Sequence, residues 1–329
     1  MTRQEYRAAK LKGIRAASEA HRKLGISAKL QEGSIDPIDV FESLSDLNIP
    51  TLCKPLEGLL GVYMNAESGP GILVTSNRRL PIQRFTAAHE LGHYWLQHSQ
   101  SLDSEESIAN ARSGSVQQIP LQEVEAEAFA SEFLLPKSLL IKTAKKLDWK
   151  KKDLAIPQNV YQLSLRACVS YEATWRALLE SKLITQEDAE RLKTTAPKES
   201  KRELVSSDFL ENSWADVINL SQRDNGSSIL TSPEDTIILN LEEHTSSGYV
   251  WNSLVEQPNI ALLSDDHIIE PKAIGSISAR KMIFKGNSDF LLNLEEKRLW
   301  EQESKPLNTV EIHINSSGIE NGLPRVARK

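Results

Sequence analysis

Arg84-Phe85-Thr86-Ala87-Ala88-His89-Glu90-Leu91-Gly92-His93-Tyr94-Trp95-Leu96 sets two histidines four positions apart in an apolar run. On a helix, residues four apart share a face, so both imidazoles can close on one ion. Glu90 lies one position on, swung about 100° round the axis. That offset makes it a poor ligand from the same turn but a good base, able to take a proton from a water and pass it to a leaving amine. Zinc suits imidazole and carboxylate ligands and leaves a position open in catalytic sites. A chance H-E-x-x-H in a chain of this length occurs at roughly the one-in-a-hundred level. Here Phe85, Ala88, Leu91, Trp95 and Leu96 make the helix apolar, as a buried metal helix should be. Gly92 costs about 1 kcal/mol in a helix interior relative to Ala. Its compensation is expected to be close approach by another backbone.

Two histidines alone make a poor site, so a third ligand is sought. An extended form of the motif would need Gly and His where Leu96 and Ser99 stand. His98, five past His93, lies about 140° round the helix, and is read as a partner behind the ligands or a helix-end residue. The stretch from Leu121 to Leu135 reads as a second helix, carrying Glu123, Glu125, Glu127 and Glu132. Glu123 lies roughly 70° and Glu125 roughly 90° from the centre of its apolar face, which barely separates them. Glu127, four past Glu123, is placed as an acceptor behind a ligand histidine.

RFTAAHELGHYWLQH, followed some thirty residues on by EVEAEAFASEFLLP, resembles the ImmA/IrrE family of metallopeptidases. LLGVYMNAESGPGILVTSN before it resembles that family's short β-hairpin, and the resemblance covers about residues 1–190. It implies His89, His93 and Glu123 as metal ligands, Zn2+ as the metal, and Glu90 as the catalytic residue. Glu127 stands where the family has Asn, and Leu135 where it has Met before the proline. The implied activity is endopeptidase cleavage of a protein substrate, a DNA-binding repressor or other regulator of stress or mobile-element genes. Tyr63 is a candidate for stabilising the transition state.

Away from the motif, periodicity predicts helices over Arg3–Leu24, from Asp36-Pro37 to Leu47, and over Leu139–Leu147, Gln158–Ala167, Tyr171–Ser181 and Gln186–Leu192. Strands are expected at Leu59–Asn65 and Gly71–Thr75, and a loop over Ser99–Gln118. NVYQLSLRACVSYEATWRALLESKLIT resembles a helix-turn-helix, or serves as a buttress for the peptidase. TTAPKESKR reads as a linker. Beyond it, TIILNL, DFLLNL and TVEIHI with turns between them predict a β-sandwich. DNGSSILTSPEDTIILNLEEHTSSGYVWNSL resembles chagasin-type inhibitors of cysteine peptidases over about residues 217–315. The resemblance implies an immunoglobulin-like fold and protein-contact loops at Gly248, Arg298 and Trp300. His244-Thr245 replaces Asn-Pro there, Leu299 replaces the proline of the late loop, and Gly275-Ser276-Ile277-Ser278 is all that stands for the middle loop.

The expected fold class is therefore α+β. A helix-rich, zincin-like peptidase domain at 1–193 has a small sheet and an HTH-like extension at about 155–193; a linker at 194–205 leads to an all-β immunoglobulin-like sandwich at 206–329. The β domain is expected to bind substrate, or a peptidase or regulatory partner. Two other functions fit the sequence: a binding or sensing protein that sequesters a repressor uncut, and a cysteine-peptidase inhibitor. The net charge of −6 and pI near 5.8 give no footprint for direct nucleic-acid binding. No run approaches the roughly 20 apolar residues that span a bilayer, and the charged N-terminus lacks a signal-peptide core. Cys53 and Cys168 show no metal spacing and read as reduced, buried thiols, consistent with a cytoplasmic chain.

Overall fold

Thr2 opens the first helix, α1 (Arg3–Lys23), through a capping box in which its hydroxyl and the Glu5 carboxylate each accept the other's backbone N–H. The computed structural model describes residues 1–67, 69–99, 101–104, 120–210, 213–252, 259–268, 278–298, 300–301, 305–316 and 318–324. They form two compact units: one of residues 1–142, 167–189 and 319–329, the other of residues 143–166 and 190–318. The class is α+β.

In the first unit α1 buries a stripe of small residues, Ala9, Ala16, Ala17 and Ala20, and packs along α5 (Leu121–Leu134). A short α2 (Ile26–Glu32) follows. The next helix, α3 (Val40–Asp46), starts later than Asp36-Pro37 predicts. The cap falls to Asp39, whose carboxylate accepts the N–H groups of Phe41 and Glu42, and Asp36-Pro37 stays ahead of the helix. A four-stranded sheet is ordered β1 (Thr51–Lys54), β3 (Gly69–Thr75), β2 (Leu59–Ala66), β4 (Ser101–Ser104). Strand β1 runs parallel to β3, and the remaining pairs are antiparallel. The expected loop at 99–118 thus contains β4, and residues 105–118 lie outside the described ones. The motif helix is α4 (Leu80–Trp95). Further on come α6 (Lys137–Lys146), which belongs to this unit as far as Lys142, and α8 (Tyr171–Glu180), the latter capped by Ser170.

The described residues from Ile319 to Pro324 belong to this first unit rather than to the sandwich. Cys53 and Gly322 exchange backbone hydrogen bonds of 2.7 and 2.6 Å. The buried Gln83 side chain of α4 donates to Glu320 O at 2.8 Å and accepts the Glu320 N–H at 2.7 Å.

The second unit is a sandwich. One sheet is ordered β5 (Val217–Ser221), β7 (Thr236–Glu243), β10 (Ser278–Gly286), β9 (Ile260–Ile268). The other is ordered β6 (Ser227–Leu230), β12 (Asn308–Asn315), β11 (Phe290–Lys297), β8 (Val250–Trp251). Inward residues of both sheets, among them Leu239, Phe284, Leu294, Ile312 and Trp251, make one apolar core. The pairs β5–β7 and β6–β12 are parallel.

Helix α7 (Pro157–Ala167) belongs to the sandwich unit except for its last residue, whereas α8 belongs to the first unit. The two halves of the expected helix-turn-helix therefore fall in different compact units. The physical reason is the outer edge of β5. Gln162 donates to Val217 O and accepts the Asn219 N–H, both at 2.8 Å. Tyr161 OH accepts the Val217 N–H at 2.9 Å, and Arg166 donates to Asn219 O at 2.7 Å. Side chains of a helix thus stand in for a neighbouring strand. The expected linker also contains a helix, α10 (Pro197–Leu204), after α9 (Gln186–Thr194). Lys201 of α10 is buried, donating to Ala215 O at 2.7 Å and pairing with Asp216 at 3.0 Å.

Candidate metal centre

Helix α4 is buried on every side from Gln83 to His93. Arg84, fully enclosed, fastens it by donating to Cys168 O at 3.1 Å and Ile38 O at 2.8 Å. Gly92 marks the crossing of α4 and α5: a Cβ there would stand 3.2 Å from Ala126 Cα and 3.1 Å from Phe129 Cβ. That close passage sets Glu123, one turn before Ala126, against the two histidines.

His89 Nε2 lies 3.1 Å from His93 Nε2 and 3.3 Å from Glu123 Oε2. His93 Nε2 lies 3.6 Å from the same carboxylate oxygen. All three side chains are buried. Two donors of a tetrahedral ion, each about 2.1 Å from it, stand about 3.4 Å apart. The spacing and the chemistry of the donor set therefore fit one divalent metal ion. Burial alone would raise Glu123, but hydrogen bonds and charge from His89 and His93 outweigh it and hold the carboxyl well below its ordinary value.

Glu90 is fully buried and points toward β2. A Cβ on Gly61 would come within 2.4 Å of Glu90 Oε1 and 2.5 Å of Thr86 Cγ2, so only glycine leaves the strand room for that carboxylate. Glu127 Oε2 stands 3.9 Å from His89 Nδ1, beyond a hydrogen bond. Glu125, left level with Glu123 by helix geometry, faces elsewhere: it accepts from Lys12 at 2.6 Å and lies 2.9 Å from His98 Nε2.

His98 is not on the helix. Trp95 is the last helical residue, and Gln97 takes a left-handed conformation at φ 56°. The His98 N–H then bonds back to His93 O at 3.0 Å, a helix-ending loop that turns the ring over the last turn. His98 Nδ1 ends 3.0 Å from His93 Nδ1. Burial lowers the His98 pKa, with Glu125 opposing. Tyr63 of β2 is buried, edge-on to Tyr94 with centroids 6.3 Å apart, and burial raises its hydroxyl.

Sequence reasoning missed Gly61, Arg84 and the pairing of His98 with Glu125. A glycine inside the strand pattern LLGVY was the available signal for the first. A charged residue inside an apolar helix was the signal for the second.

In the sandwich unit the three expected contact residues gather at one surface. The Trp300 ring occupies the space above Gly248, where a Cβ would meet its Cη2 at 2.0 Å, and Trp300 is 68% exposed. Arg298 sits over the Tyr249 ring at 4.6 Å and donates to Ser247 O at 3.1 Å. Residues 275–277 and Leu299 lie outside the described residues.

No helix among the described residues is long and apolar enough to cross a membrane. Curated proteins give no match to this chain. Among solved structures, the cysteine protease inhibitor EhICP2 of Entamoeba histolytica is 22% identical, with 31% of this chain and 97% of that chain covered and a TM-score of 0.29. Amebosin is 17% identical, with 31% and 97% covered and a TM-score of 0.24. PbICP-C, solved in complex with falcipain-2, is 13% identical, with 31% and 91% covered and a TM-score of 0.22. Residues 45–179, which contain the three donors and Glu90, match the family model of the IrrE N-terminal-like domain, a peptidase family (M78), and that match supports a metallopeptidase-like function for this part of the chain.

Proposed function

We propose that this chain is a cytoplasmic zinc-dependent endopeptidase whose substrate is a protein, a transcriptional repressor or another regulator. The observation that carries the reading is the mutual spacing of the His89, His93 and Glu123 donor atoms, 3.1 to 3.6 Å, beside the buried Glu90. Two imidazoles and one carboxylate are a donor set that suits zinc and leaves a fourth position open. Zinc held there would supply Lewis acidity, favouring ionisation of water and polarising the scissile carbonyl. Glu90, one residue from the first ligand, takes the proton of the attacking water and returns it to the departing amine. Gly61 gives its carboxylate room, and the enclosing helices exclude bulk water from it. The sandwich unit, through the surface around Gly248, Arg298 and Trp300, binds the substrate or regulates access to the site.

The test is metal analysis and cleavage of a proteome-derived peptide mixture by the full chain and by Glu90→Gln. The wild type is expected to hold close to one zinc and to cleave. Glu90→Gln keeps its zinc and loses at least about 100-fold in rate. Undiminished cleavage by the variant would end the role given to Glu90, and a metal-free wild type would end the zinc reading.

A further inference from the structure

We propose that His98 and Glu125 form a positioning chain that fixes which nitrogen of His93 carries its proton, with Lys12 supplying the counter-charge. This rests on the reading of His93 as a metal ligand. The chain runs Lys12 Nζ to Glu125 Oε2 at 2.6 Å, Glu125 Oε2 to His98 Nε2 at 2.9 Å, and His98 Nδ1 to His93 Nδ1 at 3.0 Å. The two ends of the chain fix the protons between them. The Glu125 carboxylate, paired with the Lys12 ammonium, only accepts, so the His98 proton sits on Nε2. His93, turned by its Nε2 to the other two donors, binds metal through a lone pair there and so carries its proton on Nδ1, and the His98 Nδ1 that faces it at 3.0 Å is the acceptor. The bond between the two rings holds that proton in place and keeps the His93 Nε2 lone pair directed at His89 Nε2 and Glu123 Oε2. A ligand histidine held through its far nitrogen is oriented and made more basic. The carboxylate that usually does this directly is replaced by a second imidazole with a carboxylate behind it. The left-handed turn at Gln97 is what brings that imidazole back over the helix end.

The experiment measures zinc uptake by the full chain in competition with a chromophoric chelator, alongside nitrogen-15 NMR of the imidazole rings. His98→Ala is expected to lower zinc affinity about 10- to 100-fold. His98→Gln, whose amide can accept from His93 and donate to Glu125, is expected to recover most of it. In the metal-free wild type the His98 proton is on Nε2 and the His93 proton on Nδ1. Unchanged affinity in a folded His98→Ala chain, or a His98 proton found on Nδ1, overturns the proposal and leaves the metal site standing. A wild type that takes up no zinc overturns both. The NMR reading needs no variant, so it decides the matter even where His98→Ala fails to fold.

Discussion

Glu123, Glu125 and Glu132 share one helix and meet three different fates. Glu123 is held ionised by two imidazoles, and Glu125 is shared between Lys12 and His98. Glu132, by contrast, is pushed up to about 7 by burial and by the charge of Glu180, itself paired with Lys10. A carboxyl whose folded pKa exceeds its ordinary 4.5 gives stability that is complete below pH 4.5 and is lost as pH rises through 7. Glu132→Gln is therefore expected to be more stable than wild type by about 2 kcal/mol at pH 8, the full shift being discounted for partial exposure, and equal to it at pH 4. Urea denaturation at the two pH values measures this; a gap of the same size at both would remove the cause assigned here. The same three residues show where sequence reading stops. His89, Glu90 and His93 were legible because their relation is local, a helix repeat within one turn. Helix geometry did not separate Glu123 from Glu125, and only the family resemblance pointed to Glu123, since what distinguishes them is Lys12 on α1 and His98 beyond the turn of α4, both remote in sequence.

At the scale of elements, the long helices and the two hairpin strands were readable because their apolar period is sustained. β1 was missed, because its four residues Thr-Leu-Cys-Lys are too few to show alternation. α10 was missed for another reason: its buried face is anchored by a lysine, and no apolar stripe reveals it. α7 was seen as a helix, but its allegiance was not, because its contribution is polar. Gln162, Tyr161 and Arg166 meet the N–H and C=O groups that β5 presents at its edge. Gln162→Leu keeps the volume and leaves Val217 O and the Asn219 N–H without that partner. An orphaned buried backbone group costs about 1 to 3 kcal/mol, so the variant is expected to unfold at a clearly lower urea concentration. An unchanged midpoint would mean that β5 does not depend on this helix.

For the whole molecule, the sequence divides at a polar stretch near residue 200, whereas the compact units exchange chain at 142–143, 166–167, 189–190 and 318–319. A composition change marks where strands replace helices; it does not mark where contacts cease, because α7 and the residues after Ile319 each join a unit that their neighbours in sequence do not. Metal removal is the perturbation that tells the units apart. Among the described residues the three candidate donors, His89, His93 and Glu123, stand on α4 and α5, and none of them belongs to the sandwich unit. A ligand present at about a thousand times its dissociation constant stabilises the state that binds it by roughly 4 kcal/mol. Chelation is therefore expected to speed amide hydrogen exchange in α4 and α5 while leaving β7 and β10 at their original rates. In Glu123→Gln, whose carboxylate ligand is gone, the chelator should have little left to remove and the effect should shrink. If chelation alters exchange in the sandwich strands as much as in α4 and α5, the two units do not respond separately; if it alters neither, no metal joins the two helices.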